Sequence, residues 1–359
     1  MQEISVPQNA TTLAEKKYDS KYDIIKFVLS LMVLAIHSGL FPMALYPWLR
    51  IAVPLFFIMS SKFVFSKLHN APKERHFSIL KGFVIRNLQL YLCWFIILLP
   101  ITLYSRWDIY FGSTFWLNTL TIIRSIIFQS SFIASWFIMA TIIGVLIIYF
   151  LNKLLRKNNC VLFVISIFVF SIVSIASSYK FAIEDTFLLT AIDWYTYIFG
   201  GLVLSFPAAI FWVFIGKLLA EGKLKLKSTA LSIIFAVLSA VGLYIEWRYV
   251  ISATSSFNND SYFMLAPLCV SLFLCIEKIK PFQWKHSIRF KRMSTVIYVL
   301  HGSLEAAFSK ILLILFDFSS PVVSFIITLI CCIIAYICIE LIIKLLGKYR
   351  IVKIPKMLY

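Results

Sequence analysis

The sequence predicts an all-α integral membrane fold, with about ten transmembrane helices in one bundle and both termini cytoplasmic. Three observations carry this expectation. Of 359 residues, 61% are hydrophobic, 34 are Phe and only 14% are charged, which is more apolar than a water-soluble core requires. Apolar runs recur that can cross about 30 Å of hydrocarbon at about 20 residues each. Lysine and arginine gather on alternate connecting segments.

The expected spans fall at 24–46, 48–65, 88–103, 136–151, 160–177, 197–219, 231–245, 263–276, 293–313 and 322–343. With the N-terminus taken as cytoplasmic, 28 of the 34 Lys and Arg residues lie on inner segments. The outer segments keep Arg50, Arg106, Arg124, Lys180, Arg248 and Lys310, beside the acids Asp108, Glu184, Asp185, Asp193, Glu246, Asp260, Glu305 and Asp317. This is the positive-inside pattern. The net charge of +18 is therefore a topology signal, and no nucleic-acid partner is expected. The basic run at 285–292 is a topology anchor, or alternatively a contact for anionic lipid or a phosphorylated cofactor.

Polar-leaning residues precede the first span, which is long enough to stay in the bilayer, so no cleavable signal peptide is expected. The domain organisation expected is a cytoplasmic tail at 1–21, a single membrane domain at 22–346 and a cytoplasmic tail at 347–359. No strong repeat or flexible linker interrupts it. Cys93, Cys269, Cys275, Cys331, Cys332 and Cys338 fall in spans and Cys160 at a span end. None has metal-ligand spacing, so they read as packing residues and no metal is expected.

The residues that invite a functional reading are two histidines, His37 and His301, each placed near the middle of an expected span. Ionisable groups in hydrocarbon usually face a bundle interior or a water-filled cavity, and so mark sites. The plainer alternative is a histidine that packs helices and bonds a backbone carbonyl. His69, His76 and His286 fall in loops and are given no role. Glu340 and Lys344 read as an internal pair of the last span.

Several motifs then point to a known family. Asp23 and Lys26 precede His37, with ten residues between Lys26 and His37. The second span begins Arg50-Ile51-Ala52-Val53-Pro54-Leu55-Phe56-Phe57 and continues to Ser60-Ser61. Ser135-Trp136-Phe137 opens the fourth span, Phe214-Ile215-Gly216 lies late in the sixth, and Ile297-Tyr298-Val299-Leu300-His301 lies in the ninth. Together and in this order they resemble the membrane-bound acyltransferase family 3, which includes bacterial O-acetyltransferases of surface polysaccharides. Where the family has arginine in the first span this chain has Lys26, where it has glycine after Ser60 this chain has Ser61, and its Arg-x-x-Arg appears as Arg86-Asn87-Leu88-Gln89.

The resemblance implies a membrane O-acyltransferase that moves an acyl group, acetyl in the relatives, from cytoplasmic acyl-CoA to a sugar hydroxyl of a cell-surface or lipid-linked polysaccharide. It also implies a multi-pass protein of the bacterial cytoplasmic membrane, whose partners are the bilayer, acyl-CoA and a glycan acceptor. Acetyl-CoA would be the donor, with no permanently bound cofactor. A different class, a transporter or flippase, would also place polar residues within spans, but would commonly show repeat symmetry or paired broken helices.

Elementary chemistry fits this. Eleven helical positions are close to three turns, so Lys26 and His37 share a face within about 20° and stand about 16 Å apart. Phosphates of a thioester donor would sit beside Lys26 and Arg86, with Asp23 pairing Lys26 or serving only as a helix-start carboxylate. Lysine keeps the charge of the family's arginine but loses its bidentate fork. His37 would act as base or acyl-carrying nucleophile. Glu305, four residues after His301, would orient that ring or merely brace the bundle. Arg50 would stabilise developing charge over His37 or anchor a headgroup, and Ser60 would donate to the oxyanion. Everything requires a passage joining the basic inner end to His37. The outer aromatics Trp107, Tyr110, Phe111, Phe115, Trp116, Trp194 and Tyr195 read as an interfacial belt, with a sugar platform as the alternative.

Overall fold

The computed structural model describes residues 18–254, 259–316, 320–347 and 357–359. Asp317, and most of the two expected tails, lie outside the described residues. Every regular element among the described residues is helical. They are α1 (Lys21–Ser38), α2 (Tyr46–Leu49), α3 (Ala52–His69), α4 (His76–Ser105), α5 (Trp107–Phe111), α6 (Phe115–Ile127) and α7 (Trp136–Leu154). There follow α8 (Asn159–Ser178), α9 (Phe187–Phe199), α10 (Pro207–Ala220), α11 (Thr229–Thr254), α12 (Leu265–Lys278), α13 (Ser287–Phe316) and α14 (Pro321–Gly347).

Seven helical stretches among the described residues are long and apolar enough to cross a membrane: Met43–His69, Lys73–Tyr104, Trp136–Leu154, Asn159–Ser178, Phe187–Leu204, Thr229–Thr254 and Pro321–Leu345. The remaining expected spans coincide with helices that miss this standard for physical reasons. The first turns of α1 carry Lys21, Asp23 and Lys26, and α13 carries the polar run around His301, Gly302, Ser303 and Glu305. At 14 residues each, α10 and α12 reach about 21 Å.

Glycine and proline set the helix ends that apolar length alone misplaces. The first span was expected to run to residue 46, but α1 stops at Ser38. There Gly39 adopts φ +70°, and its N–H bonds back to the carbonyls of Ala35 and Ile36, the left-handed stop that glycine permits. The sixth span was expected at 197–219. Instead α9 ends at Gly200, whose φ is +93°, and the chain restarts at α10 with Pro207 in its first turn.

The core is made by α3 packed along α10, α1 along α13, and α11 along α12. At one end of the bundle, Lys62 Nζ reaches Glu277 Oε2 at 2.5 Å and Tyr22 Oη at 2.8 Å, while Tyr22 donates to Glu277 Oε1 at 2.5 Å. Lys21 Nζ donates to the Ile279 carbonyl at 2.9 Å. Ser20 and Lys21, assigned to the tail by the sequence, are thus buried parts of the bundle. Leu358 and Tyr359 also return to it: Trp94 Nε1 donates to the Leu358 carbonyl at 3.2 Å and Arg292 lies over the Tyr359 ring. Glu340 pairs with Arg292 at 2.9 Å and not with Lys344 as the sequence suggested, because the facing helix α13 offers a planar guanidinium.

At the other end, the Glu246 carboxylate accepts from the N–H groups of Phe263 at 2.6 Å and Met264 at 2.7 Å, and from the Tyr179 hydroxyl. These amides head α12, where a carboxylate also meets the positive end of the helix dipole. Glu246→Ala would orphan them. It should destabilise the protein by about 1–3 kcal/mol, read as a lowered thermal midpoint in detergent, whereas an unchanged midpoint would mean that water replaces the carboxylate without loss.

Candidate active site

His37 and His301 meet although far apart in sequence. The packing of α1 along α13 brings their ring centroids to 4.8 Å with the planes tilted by 55°. The rings stand in different environments. His301 is fully buried, and its Nδ1 lies 2.7 Å from the Tyr298 carbonyl and 3.1 Å from that of Ile297. A ring nitrogen bonded to a carbonyl carries the hydrogen, so Nε2 of the neutral ring holds a lone pair. That Nε2 is buried without a hydrogen-bond partner. His37 instead opens onto a cavity of about 330 Å³.

This position corrects one expectation. His37 is the next-to-last residue of α1, at the end of the helix away from Lys21, and not halfway along it. His301 does sit midway along α13.

Arg50, Arg106, Asp260, Trp136, Trp212 and Tyr298 are prominent in the cavity lining. Arg50 follows α2 directly and forms an ion pair with Asp260; its side chain is only 14% exposed, so it is a cavity residue and not a headgroup anchor. Asp260 is held in turn by its own N–H, which donates to Ser177 Oγ at 3.0 Å. Arg106, at the end of α4, donates from Nη1 to the Ser130 carbonyl at 2.5 Å.

Glu305 is not the partner of His301. Helical side chains lean toward the N-terminus, so the imidazole turns back to residues 297 and 298. Glu305 accepts from Ser309 Oγ at 2.8 Å. It faces a separate polar cavity of about 110 Å³ lined with Ser38, Ser309, Ser320 and Ser324.

The expected donor-binding residues lie apart from the histidines. Lys26 stands over the Phe63 ring at 5.3 Å and feels the charges of Lys291, Asp23 and Arg86, so a basic cluster does form. Asp23 accepts from the Tyr18 hydroxyl and makes no ion pair with Lys26, because both side chains find other partners. Burial and the Asp23 carboxylate push the Tyr18 phenol up to about 12. Arg86 is exposed on α4. Ser60 lies one turn beyond Phe57 on α3, and neither it nor Lys26, Arg86 or Asp23 lines the His37 cavity. Along α1 the buried Leu29 and Val33 lie between the two regions, and the His37 cavity reaches Val33 but not Lys26. An oxyanion role for Ser60 at His37 does not fit this geometry.

Sequence reasoning missed Asp260 and Arg106 as cavity residues, having counted them only as outer charges. The signal for Asp260 was a polar run, Asn258-Asn259-Asp260-Ser261, interrupting apolar sequence. Of the outer aromatics, Trp107, Phe111, Phe115, Trp116 and Trp194 are exposed and none borders the cavity. Tyr110 is buried and donates to the Ser131 carbonyl.

Residues 19–340 match the family described as "Acyltransferase domain", acyltransferase family 3. No curated protein and no solved structure matches the chain. The family match spans all but the two ends, and takes in both histidines, Arg50, Arg106 and Asp260. With its membrane-spanning helices, this chain belongs to acyltransferase family 3 and is a multi-pass membrane acyltransferase.

Proposed function

We propose that the protein is an O-acyltransferase that moves acetyl from acetyl-CoA on the cytoplasmic side to a hydroxyl of a cell-surface or lipid-linked glycan. The observation that carries this reading is the His37 ring exposed in a partly enclosed cavity against the partnerless Nε2 of His301. The cavity volume of about 330 Å³ is within the range of small-ligand pockets. Its aromatic walls and few polar groups suit a sugar ring with an acyl group beside it.

In this reading the acceptor hydroxyl attacks the thioester carbonyl carbon as His37 takes its proton. The carbon–sulfur bond then breaks, and the proton passes from His37 to the departing thiolate, giving ester and free CoA. His301 packs against His37, and its unprotonated nitrogen, unpartnered in this conformation, accepts a hydrogen bond from the His37 ring once that ring turns on substrate binding. Arg50 offers positive charge to the carbonyl oxygen as it becomes anionic. Its pairing with Asp260 fixes the guanidinium before substrate arrives. Donor phosphates lie at the Lys26, Lys291 and Arg86 cluster, and the arm reaches His37 when the Leu29–Val33 stretch parts from its neighbours. The positive-inside distribution supports a cytoplasmic basic end, and the bacterial cytoplasmic membrane is the location that the family resemblance implies.

Purified full-length protein in liposomes, given acetyl-CoA and envelope glycan from a host lacking the activity, should release free CoA and form alkali-labile acetyl ester in equal amounts. CoA release without ester would contradict the glycan acceptor. Failure of both with every glycan and every short-chain acyl-CoA tried would contradict O-acyl transfer to sugars.

A further inference from the structure

The charges around the His37 cavity do not balance. Arg50 is matched by Asp260. Arg106 also borders the cavity, but among the described residues its side chain hydrogen-bonds only the neutral carbonyl of Ser130, and no ion pair to it forms. Arg106 is only partly buried, so the face of its guanidinium not bonded to protein is open to a ligand entering the cavity. Four of its five N–H donors remain for a ligand, in a planar fork that suits carboxylate and phosphate oxygens. Asp260, the one acid bordering the cavity among the described residues, is already engaged.

We propose that the acceptor is anionic, and that Arg106 binds its carboxylate or phosphate while the hydroxyl to be acylated is held toward His37. This rests on the acyltransferase reading of the cavity and adds the charge class of the acceptor. The anion is either an acidic sugar's carboxylate or a phosphate on the glycan or its lipid carrier; both present paired oxygens to the same fork. Arg106 is a specificity residue, and the aromatic side chains Trp136 and Trp212 contact the uncharged part of the ring.

Equilibrium binding to the full-length protein in nanodiscs at low salt tests this without turnover, with methyl galactoside, methyl galacturonoside and galactose 6-phosphate as probes. At least one anionic probe should bind about ten- to a hundredfold more tightly than the neutral one, the range expected of a charge-assisted contact. The tighter of the two names the source. Arg106→Gln should shrink the gap to less than about threefold, Arg106→Lys should keep part of it, and Arg124→Gln, outside the cavity, should keep all of it. Equal affinity for neutral and anionic probes, no binding of either anion, or a gap that survives Arg106→Gln would overturn the proposal. A protein that kept the gap but released no CoA would refute the acyl-transfer reading and leave the anion site standing.

Discussion

His37→Ala is expected to lower the rate of acyl transfer by a factor of about 10² to 10⁴, the usual contribution of a positioned general base, without lowering the yield of folded protein. The ring lines a cavity rather than filling a packed core, so deleting it creates no buried void of the kind that destabilises interiors. Its nearest ring neighbour, His301, is held by the Ile297 and Tyr298 carbonyls and does not depend on it. His69→Ala, in the last turn of α3 and exposed, serves as the control and should retain full activity. Steady-state release of CoA with saturating acceptor is the measurement. A His37→Ala protein within about threefold of the native rate would remove His37 from the proton transfer, since so small a loss is below any general-base contribution.

Gly216→Leu is expected to abolish folding, at a cost above about 3 kcal/mol. Gly216 lies where α10 packs tightly against α3. A Cβ there would stand 2.7 Å from the Ile58 carbonyl oxygen and 2.9 Å from the Lys62 nitrogen, and would also strike Ser61 Oγ. Backbone atoms cannot rotate away, so the helices must separate, and the most extensive interface of the bundle goes with them. Gly216→Ala should lower the thermal midpoint and the fraction recovered as a single species after detergent extraction. Adding Ser61→Gly should restore part of that loss, because it removes the side-chain clash and leaves the two backbone ones. A Gly216→Leu protein of native yield and midpoint would show that this crossing is not needed for the fold.

The same crossing illustrates what was legible beforehand. Phe214-Ile215-Gly216 and the serine pair Ser60-Ser61 stood out as motifs, and in the structure Gly216 of the first abuts Ser61 of the second. Helical character followed from composition, and seven helical stretches among the described residues are long and apolar enough to cross a membrane, as expected where hydrocarbon demands internally bonded backbone. Helix ends were less legible: Gly39 and the Gly200–Pro207 stretch interrupt apolar sequence without changing its hydropathy, so counting apolar length overran both. The pairing of His37 with His301 could be suspected but not measured, since nothing in one sequence says which helices adjoin. Local reasoning at four-residue spacing joined Glu305 to His301 and Glu340 to Lys344. Both failed because stronger partners lay elsewhere: backbone carbonyls for the imidazole and Arg292 for Glu340. Arg106 entered the cavity through tertiary packing alone, and Asp260 with only the polar run around it as a signal.

The basic cluster at Lys26 and the histidine pair are separated by buried Leu29 and Val33 in this conformation, and the account requires a donor to bridge them. A density map of the full-length protein in nanodiscs with a non-hydrolysable acetyl-CoA analogue tests this most directly. The account predicts phosphates beside Lys26, Lys291 and Arg86 and the acyl carbonyl within about 3.5 Å of a ring nitrogen of His37. An acyl group resting elsewhere, with no density joining the Lys26 cluster to the His37 cavity, would contradict it.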